Sequence, residues 1–270
     1  MTEPATVRLA VLIDADNVSS SHSAALLAEL ARYGVPTVKR AYGDWTTPQL
    51  AGWKGELARH AIQPVQQFAN TVGKNSTDSA LIIDAMDLLY SGSLDAFAIV
   101  SSDSDFTRLA TRLRESGKTV YGLGQRKTPA SLQAACDKFI FLEVLREGGE
   151  ESDDASGDAD AEGDSLPDLR TIMEAAVRST AQDDGWSPLG AVGTHLGKTH
   201  AAFDPRHYGF PRLGALAGAQ SYLDLDHPDG GQPRVRLRPQ RAARKRTSTA
   251  KKAAPDGAQK STRKRTASTS

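Results

Sequence analysis

Cysteine is nearly absent from this chain: Cys136 stands alone among 270 residues. One thiol excludes an internal disulfide and cannot by itself build a thiolate zinc site. Because Phe139, Ile140 and Phe141 follow it, Cys136 is expected in the core rather than in chemistry. Long apolar runs are missing too. No stretch approaches the ~20 residues that cross a bilayer, and residues 1–8 lack the apolar centre of a secretory signal. A soluble, cytoplasmic protein without a membrane partner is the expectation. Net charge is also absent, with 33 basic residues against 33 acidic ones. That balance conceals segregation. Residues 147–168 are acidic almost throughout, while residues 234–265 are basic with only Asp256 opposing.

What is present is an alternation of strand and helix signals. Residues 7–13 read as a strand buried on both faces, with Val11, Leu12 and Ile13 consecutive. Residues 20–32 place Ala24, Leu27, Ala28, Leu30 and Ala31 at helical spacing before Gly34. Further strands are expected at 37–42, 62–68, 97–101, 119–123 and 139–142. Helices are expected at 48–60, 78–90, 106–115 and 129–135, with Gly117 as a C-terminal stop. Such alternation predicts an α/β fold, a parallel sheet covered by helices on both faces.

Residues 148–165 are dominated by Gly, Ser, Ala and acid, with almost nothing to bury, and read as a disordered linker. Patterning resumes at Leu166 with a helix over 169–177 and a small core built from Trp186, Leu189, Val192, Phe203, Tyr208, Phe210 and Leu213. A hairpin is expected between 222–225 and 235–237 across Asp229-Gly230-Gly231. Helices followed by a hairpin suit a winged helix-turn-helix. The expected organisation is a parallel-sheet domain over 1–146, an acidic linker over 147–165, a winged-helix domain over 166–238 and a disordered basic tail over 239–270.

Chemistry concentrates where strands end. The first strand delivers Asp14, Asp16 and Asn17, and the strand starting at Phe97 delivers Asp103 and Asp105. In an open parallel sheet such ends gather in one crevice where the strand order reverses. Asp78 opens its helix after a polar loop and can lean to the same edge. Two carboxylates ~4 Å apart repel by roughly 4 kcal/mol at an effective dielectric of about 20, so a cluster must hold protons or bind a cation. An all-oxygen set without His or Cys favours Mg²⁺ or Mn²⁺ over zinc.

The expected ligands are Asp14, Asp78 and Asp103, with Asp105 as the supporting acid. Asn17 is expected to contact the scissile phosphate or a metal-bound water, and Lys74 and Lys127 to contact phosphates. Taken alone, Ser102-Asp103-Ser104-Asp105 is a helix cap, Asp78 complements a helix dipole, and Asp16 is a turn residue. The convergence of acids at two strand ends and a helix start outweighs these readings. Asp84 and Asp87 share no helical face with Asp78 and are expected to be solvated or structural.

Leu12-Ile13-Asp14-Ala15-Asp16-Asn17 resembles the opening motif of the NYN family of PIN-like nucleases. Residues 74–84 look like its middle motif, and Val100-Ser101-Ser102-Asp103-Ser104-Asp105-Phe106 is similar to its third, with Ser102 where the family usually has Gly. Asp137-Lys138-Phe139-Ile140 fits its closing strand, so the likeness spans about residues 7–145. It implies an α/β/α sandwich with the first and fourth strands adjacent, Mg²⁺ or Mn²⁺ binding, and ribonuclease activity. By position, Asp14, Asn17, Asp78, Asp103 and Asp105 match the family's site, and Asp84 a second-rank position. Some members have no demonstrated cleavage.

Gly185-Trp186-Ser187-Pro188-Leu189 and Phe203-Asp204-Pro205-Arg206-His207-Tyr208-Gly209-Phe210 resemble the LOTUS, or OST-HTH, winged-helix module. That module is associated with RNA-regulating proteins. RNA contacts would then come from Lys198, His200, Arg206, His207 and Arg212 around the aromatic core. The basic tail adds sequence-independent affinity for polyanions.

The expected function is a metal-dependent ribonuclease with an accessory RNA-binding module, RNA being the partner; a homodimer is left open. Two other functions compete. A non-catalytic RNA-binding adaptor would retain the same acids. A phosphatase of the haloacid dehalogenase type would use Asp14-Ala15-Asp16-Asn17-Val18 as its Asp-x-Asp-x-Val opening and would need Asp16 as an acid.

Overall fold

The computed structural model describes residues 6–68, 76–145, 166–228 and 231–238. Lys74, the expected linker and the expected tail lie outside the described residues.

Six strands form one parallel sheet: β1 (Arg8–Asp14), β2 (Val35–Gly43), β3 (Gln63–Gln66), β4 (Ala96–Val100), β5 (Thr119–Gly124) and β6 (Lys138–Phe141). Their spatial order is β3-β2-β1-β4-β5-β6. The chain builds outward from β1 to β3, then crosses back to lay β4 on the other side of β1. The expected neighbourhood of the first and fourth strands is therefore present, with Ile13 opposite Val100.

Alternation along the two central strands explains why they read as unbroken apolar runs. Ala10, Leu12, Phe97 and Ile99 face one core, while Leu9, Val11, Ile13, Ala98 and Val100 face the other. Helices α3 (Ser76–Tyr90), α4 (Thr107–Glu115) and α5 (Ala130–Ala135) supply Leu81, Leu109, Leu113 and Leu132 to the first core. Helices α1 (Ser23–Leu30) and α2 (Trp53–His60) cover the second with Leu26, Leu30 and Trp53. Each fully buried Leu, Ile or Phe contributes about 1.5–3 kcal/mol, which is why both faces of a parallel sheet must be covered.

Helix starts differ from the expected spans. Short 3-10 turns at Ser20–His22, Pro48–Leu50 and Ser104–Phe106 precede α1, α2 and α4. Each begins near a capping or proline signal, so the tighter turn aims the chain before the apolar face begins. Gly117 ends α4 with φ 75, a conformation that favours glycine.

The smaller domain contains α6 (Leu169–Thr180), β7 (Ser187–Pro188), α7 (Leu189–Thr199), α8 (Leu213–Gly218), β8 (Leu223–Asp226) and β9 (Arg234–Leu237). Its strands form an antiparallel sheet in the order β7-β9-β8, and β8 and β9 pair as the expected hairpin. Met173, Val192, Leu196, Leu216 and Val235 are its core, with Phe203, Tyr208 and Phe210 packed on it. Trp186 departs from the expectation. Rather than entering that core, its ring lies under the guanidinium groups of Arg234 and Arg236. Ser187 pairs with the inward Val235, so Trp186 and Arg236 fall on the outer face of the sheet.

Candidate active site

β1 and β4 meet where the strand order turns, so their carboxyl ends share one edge. β1 delivers Asp14, which is 1% exposed. Its Oδ2 accepts from Ser101 Oγ at 2.8 Å and from Asn17 Nδ2 at 2.7 Å. Its Oδ1 is buried and meets no hydrogen-bond donor among the described residues. Burial pushes the Asp14 carboxyl above its ordinary pKa and the charge of Asp16 adds to this, while the Asn17 and Ser101 bonds oppose it.

Ser101 follows β4 and is completely buried. Its Oγ donates to Asp14 and accepts the Asp103 N–H at 3.1 Å, so one hydroxyl ties the two strand ends together. Asp103 then caps the next turn by accepting from the Asp105 N–H at 2.9 Å. Capping and membership of the crevice are thus compatible, because only Oδ1 is used by the cap. Ser102 accepts from the Gln125 N–H at 2.8 Å, anchoring the loop after β5. A glycine there would lack that bond.

Asp78 enters from the first turn of α3. One carboxylate oxygen each from Asp78, Asp103 and Asp105 lies within 4.8 Å of the others. Burial pushes the Asp78 carboxyl up to about 6, and the charges of Asp14, Asp103, Asp105 and Asp16 reinforce it. Asp14 stands beside this trio rather than within it. Asp16 is exposed and accepts from Thr77 Oγ1 at 2.9 Å.

The donor set is all oxygen, clustered like charges are costly, and one buried Asp14 oxygen is without a hydrogen-bond donor among the described residues. These three features fit a hard divalent cation such as Mg²⁺ or Mn²⁺. Asp84 lies elsewhere in function: Arg40 and the Tyr42 hydroxyl both bond to its carboxylate, so it braces α3 against β2. Asp87 is exposed.

The expected cationic contacts are dispersed. Lys127 is exposed on the loop after β5, on the same sheet edge as the acids. Lys198 and His200 instead line a crevice of about 530 Å³ with Arg114 and Gln133. Arg114 bonds Asp137, which also accepts from Val120 N near the start of β5. That crevice therefore sits towards the opposite end of the strands from the acids. Arg212 is exposed just before α8.

Arg206 and His207 correct the expectation of an RNA-facing pair. Arg206 bonds both Glu29 oxygens, at 3.0 and 2.8 Å, and both Asp204 oxygens, which engages four of the five N–H groups of its fork. His207 is 4% exposed, with Nδ1 bonded to Ala202 O at 2.8 Å and Nε2 to the Phe141 N–H at 3.3 Å. Ser101 and Thr77 were not singled out from sequence. The signal for Ser101 was a hydroxyl directly after a wholly buried strand, two residues before an acid.

A family model described as the NYN domain matches residues 8–143, and one described as the OST-HTH/LOTUS domain matches residues 164–235. No curated protein matches the chain. Among solved structures, a protein of unknown function from Vibrio parahaemolyticus is similar over 52% of this chain and 96% of its own, with 18% identity and a TM-score of 0.45. A solution structure from Chromobacterium violaceum is 32% identical over 26% of this chain and 80% of its own, with a TM-score of 0.23. An uncharacterized protein from Nitrosomonas europaea is 25% identical over 34% of this chain and 94% of its own, with a TM-score of 0.25.

Proposed function

Because this chain belongs to the NYN domain family and carries an OST-HTH/LOTUS domain, we propose that it is a divalent-metal-dependent ribonuclease whose second domain binds RNA. The observation that carries this reading is the carboxylate trio of Asp78, Asp103 and Asp105 beside the buried Asp14, one of whose oxygens meets no donor among the described residues. Asp14, Asp78, Asp103 and Asp105 would hold Mg²⁺ or Mn²⁺. An ion so held supplies a lowered pKa for a bound water and polarises a phosphoryl oxygen.

The chain's own residues do the rest. Ser101 orients Asp14 and Asp103 together, and Asn17 holds Asp14 Oδ2 while facing solvent. Lys127 stands on the same edge and suits a phosphate contact; Lys74 and Arg212 are further candidates for RNA, and Lys198 is a candidate only along a path past the opposite edge. The functional division follows as a nuclease domain over 1–146 and an RNA-binding domain over 166–238, joined by an acidic segment and followed by a basic one.

The test is an assay with Mn²⁺ on labelled single-stranded RNA, comparing wild type with Asp103→Asn and Asp16→Asn. Cleavage should vanish in the first variant and largely persist in the second. Binding without cleavage in any metal would favour the adaptor. Activity confined to small phosphate monoesters, and lost with Asp16→Asn, would favour the phosphatase.

A further inference from the structure

β6 is an edge strand with an apolar sequence, Phe139-Ile140-Phe141, and its outward amides would ordinarily seek a partner. The smaller domain supplies one. Phe139 N–H donates to Ala201 O at 2.8 Å, and Phe141 N–H donates to His207 Nε2 at 3.3 Å. Since Ala202 O only accepts and the Phe141 amide only donates, His207 is held as the neutral tautomer with its proton on Nδ1.

Around this edge, polar groups are buried and paired. Glu29 from α1 and Asp204, each 6% exposed, grip Arg206 from two sides, and Lys138 of β6 lies 3.6 Å from Asp204. The Phe141 and His207 rings are 4.4 Å apart, and Ala202 and Leu166 pack into the core under the sheet. The described residues up to Arg238 accordingly form one compact unit. The contacts of β6 and α1 with the smaller domain, and not chain connection alone, therefore fix its place against the sheet.

We infer that the Glu29–Arg206–Asp204 clamp and the His207 contact to β6 make the smaller domain a rigid extension of the sheet that sets where RNA is cut. This rests on the ribonuclease reading above. β6 lies two strands from β4, about 10 Å by ordinary strand spacing, so RNA held by a docked domain enters the acidic crevice in one register. An undocked domain delivers the same RNA in many. Glu29, Asp204, Arg206 and His207 are positioning residues, remote from the reacting phosphate.

The test uses the full chain, end-labelled RNA of defined sequence with Mn²⁺, and amide hydrogen exchange in parallel. Glu29→Lys places a cation against Arg206 and opens the latch. Phe139 and Phe141 amides should then exchange faster, on the order of tenfold or more, while β1 and β4 stay protected, and cleavage should spread from discrete positions to their neighbours. Unchanged positions with those two amides exposed would overturn the inference, as would amides that remain protected. If β1 and β4 also lose protection, the milder Glu29→Ala is read by the same criteria. Collapse of the sheet in both variants would show one folding unit rather than a latch and would equally overturn it. Wild-type protein that cuts no RNA marks failure of the ribonuclease reading, and the register role falls with it.

Discussion

Ser101 donates its hydroxyl to Asp14 across the β1–β4 boundary at 2.8 Å. The same oxygen accepts the Asp103 amide, so the relative placement of acids on two strands depends on one buried side chain. Ser101→Ala removes both bonds and leaves Asp14 with Asn17 as its remaining side-chain donor. Outer groups that orient metal ligands typically matter by about 10- to 100-fold. We expect Ser101→Ala to weaken Mn²⁺ binding and slow RNA cleavage within that range while the fold persists. Calorimetric Mn²⁺ titration beside the cleavage assay checks this; wild-type affinity in the variant would show that Ser101 has no orienting role.

Asp78 illustrates the opposition between function and stability. Its carboxyl is pushed up to about 6 by burial and by its acidic neighbours. Between the ordinary value of 3.8 and about 6 the folded state binds more protons than the unfolded one, so stability declines as pH rises through that window. At neutral pH the ionised group is therefore a cost. Asp78→Asn should stabilise the metal-free protein at pH 7.5 by about 1–2 kcal/mol, after allowance for its partial exposure. The gain should disappear at pH 4 and should shrink or reverse with saturating Mn²⁺. Thermal melts at the two pH values decide it, and equal melting temperatures for variant and wild type at pH 7.5 would refute it.

The acids of this crevice were legible in sequence for a physical reason. Strands buried on both faces show as unbroken apolar runs, so Asp14 and Asp103 stand out as abrupt polar ends, and their adjacency follows from how parallel sheets are wound. The 3-10 turns before the helices were not legible, because capping signals place a helix start without specifying its first hydrogen-bond pattern. Nor was the docking of the smaller domain. Glu29 and Arg206 are 177 positions apart, and a buried ion pair has no periodicity to announce it. Arg206 and His207 therefore read as surface cations, when one is spent on carboxylates and the other is buried and neutral.

The outer face of the small antiparallel sheet makes a separate prediction. Trp186 sits 4.8 Å from the guanidinium of Arg234 and 4.5 Å from that of Arg236. Asp226 and Asp224 pair with those arginines from the next strand. The indole lies against both guanidinium groups, each contact worth about 0.5–1 kcal/mol at exposed sites. Trp186→Ala should destabilise the smaller domain by about 1–2 kcal/mol without altering Mn²⁺ binding at the acidic crevice. Denaturant unfolding followed by far-ultraviolet circular dichroism reads the first effect and metal titration the second. A change in Mn²⁺ affinity would contradict the separation of the two surfaces.

The edge contact of His207 should make docking sensitive to acid. Burial lowers the imidazole pKa below 6.5; the Ala202 carbonyl and the charge of Asp204 oppose this, while Arg126 and Arg206 reinforce it. As pH falls, the unfolded or undocked histidine takes its proton first. The contribution of His207 is thus complete above 6.5 and is lost as pH falls below that value and through the folded one. Asp204 is held down to about 2, chiefly by the bonds of Arg206 acting against burial, so its contribution persists until pH drops below its ordinary 3.8. Of these two groups, His207 is therefore the one whose contribution changes between pH 7 and 5. Protonation puts a hydrogen on Nε2, which then faces the Phe141 N–H donor to donor. Protection of the Phe139 and Phe141 amides, corrected for intrinsic exchange, should fall over this range in wild type. His207→Gln carries an amide donor and a carbonyl acceptor but does not titrate, and its profile should be flat. An identical pH dependence in the glutamine variant would assign the effect to another group.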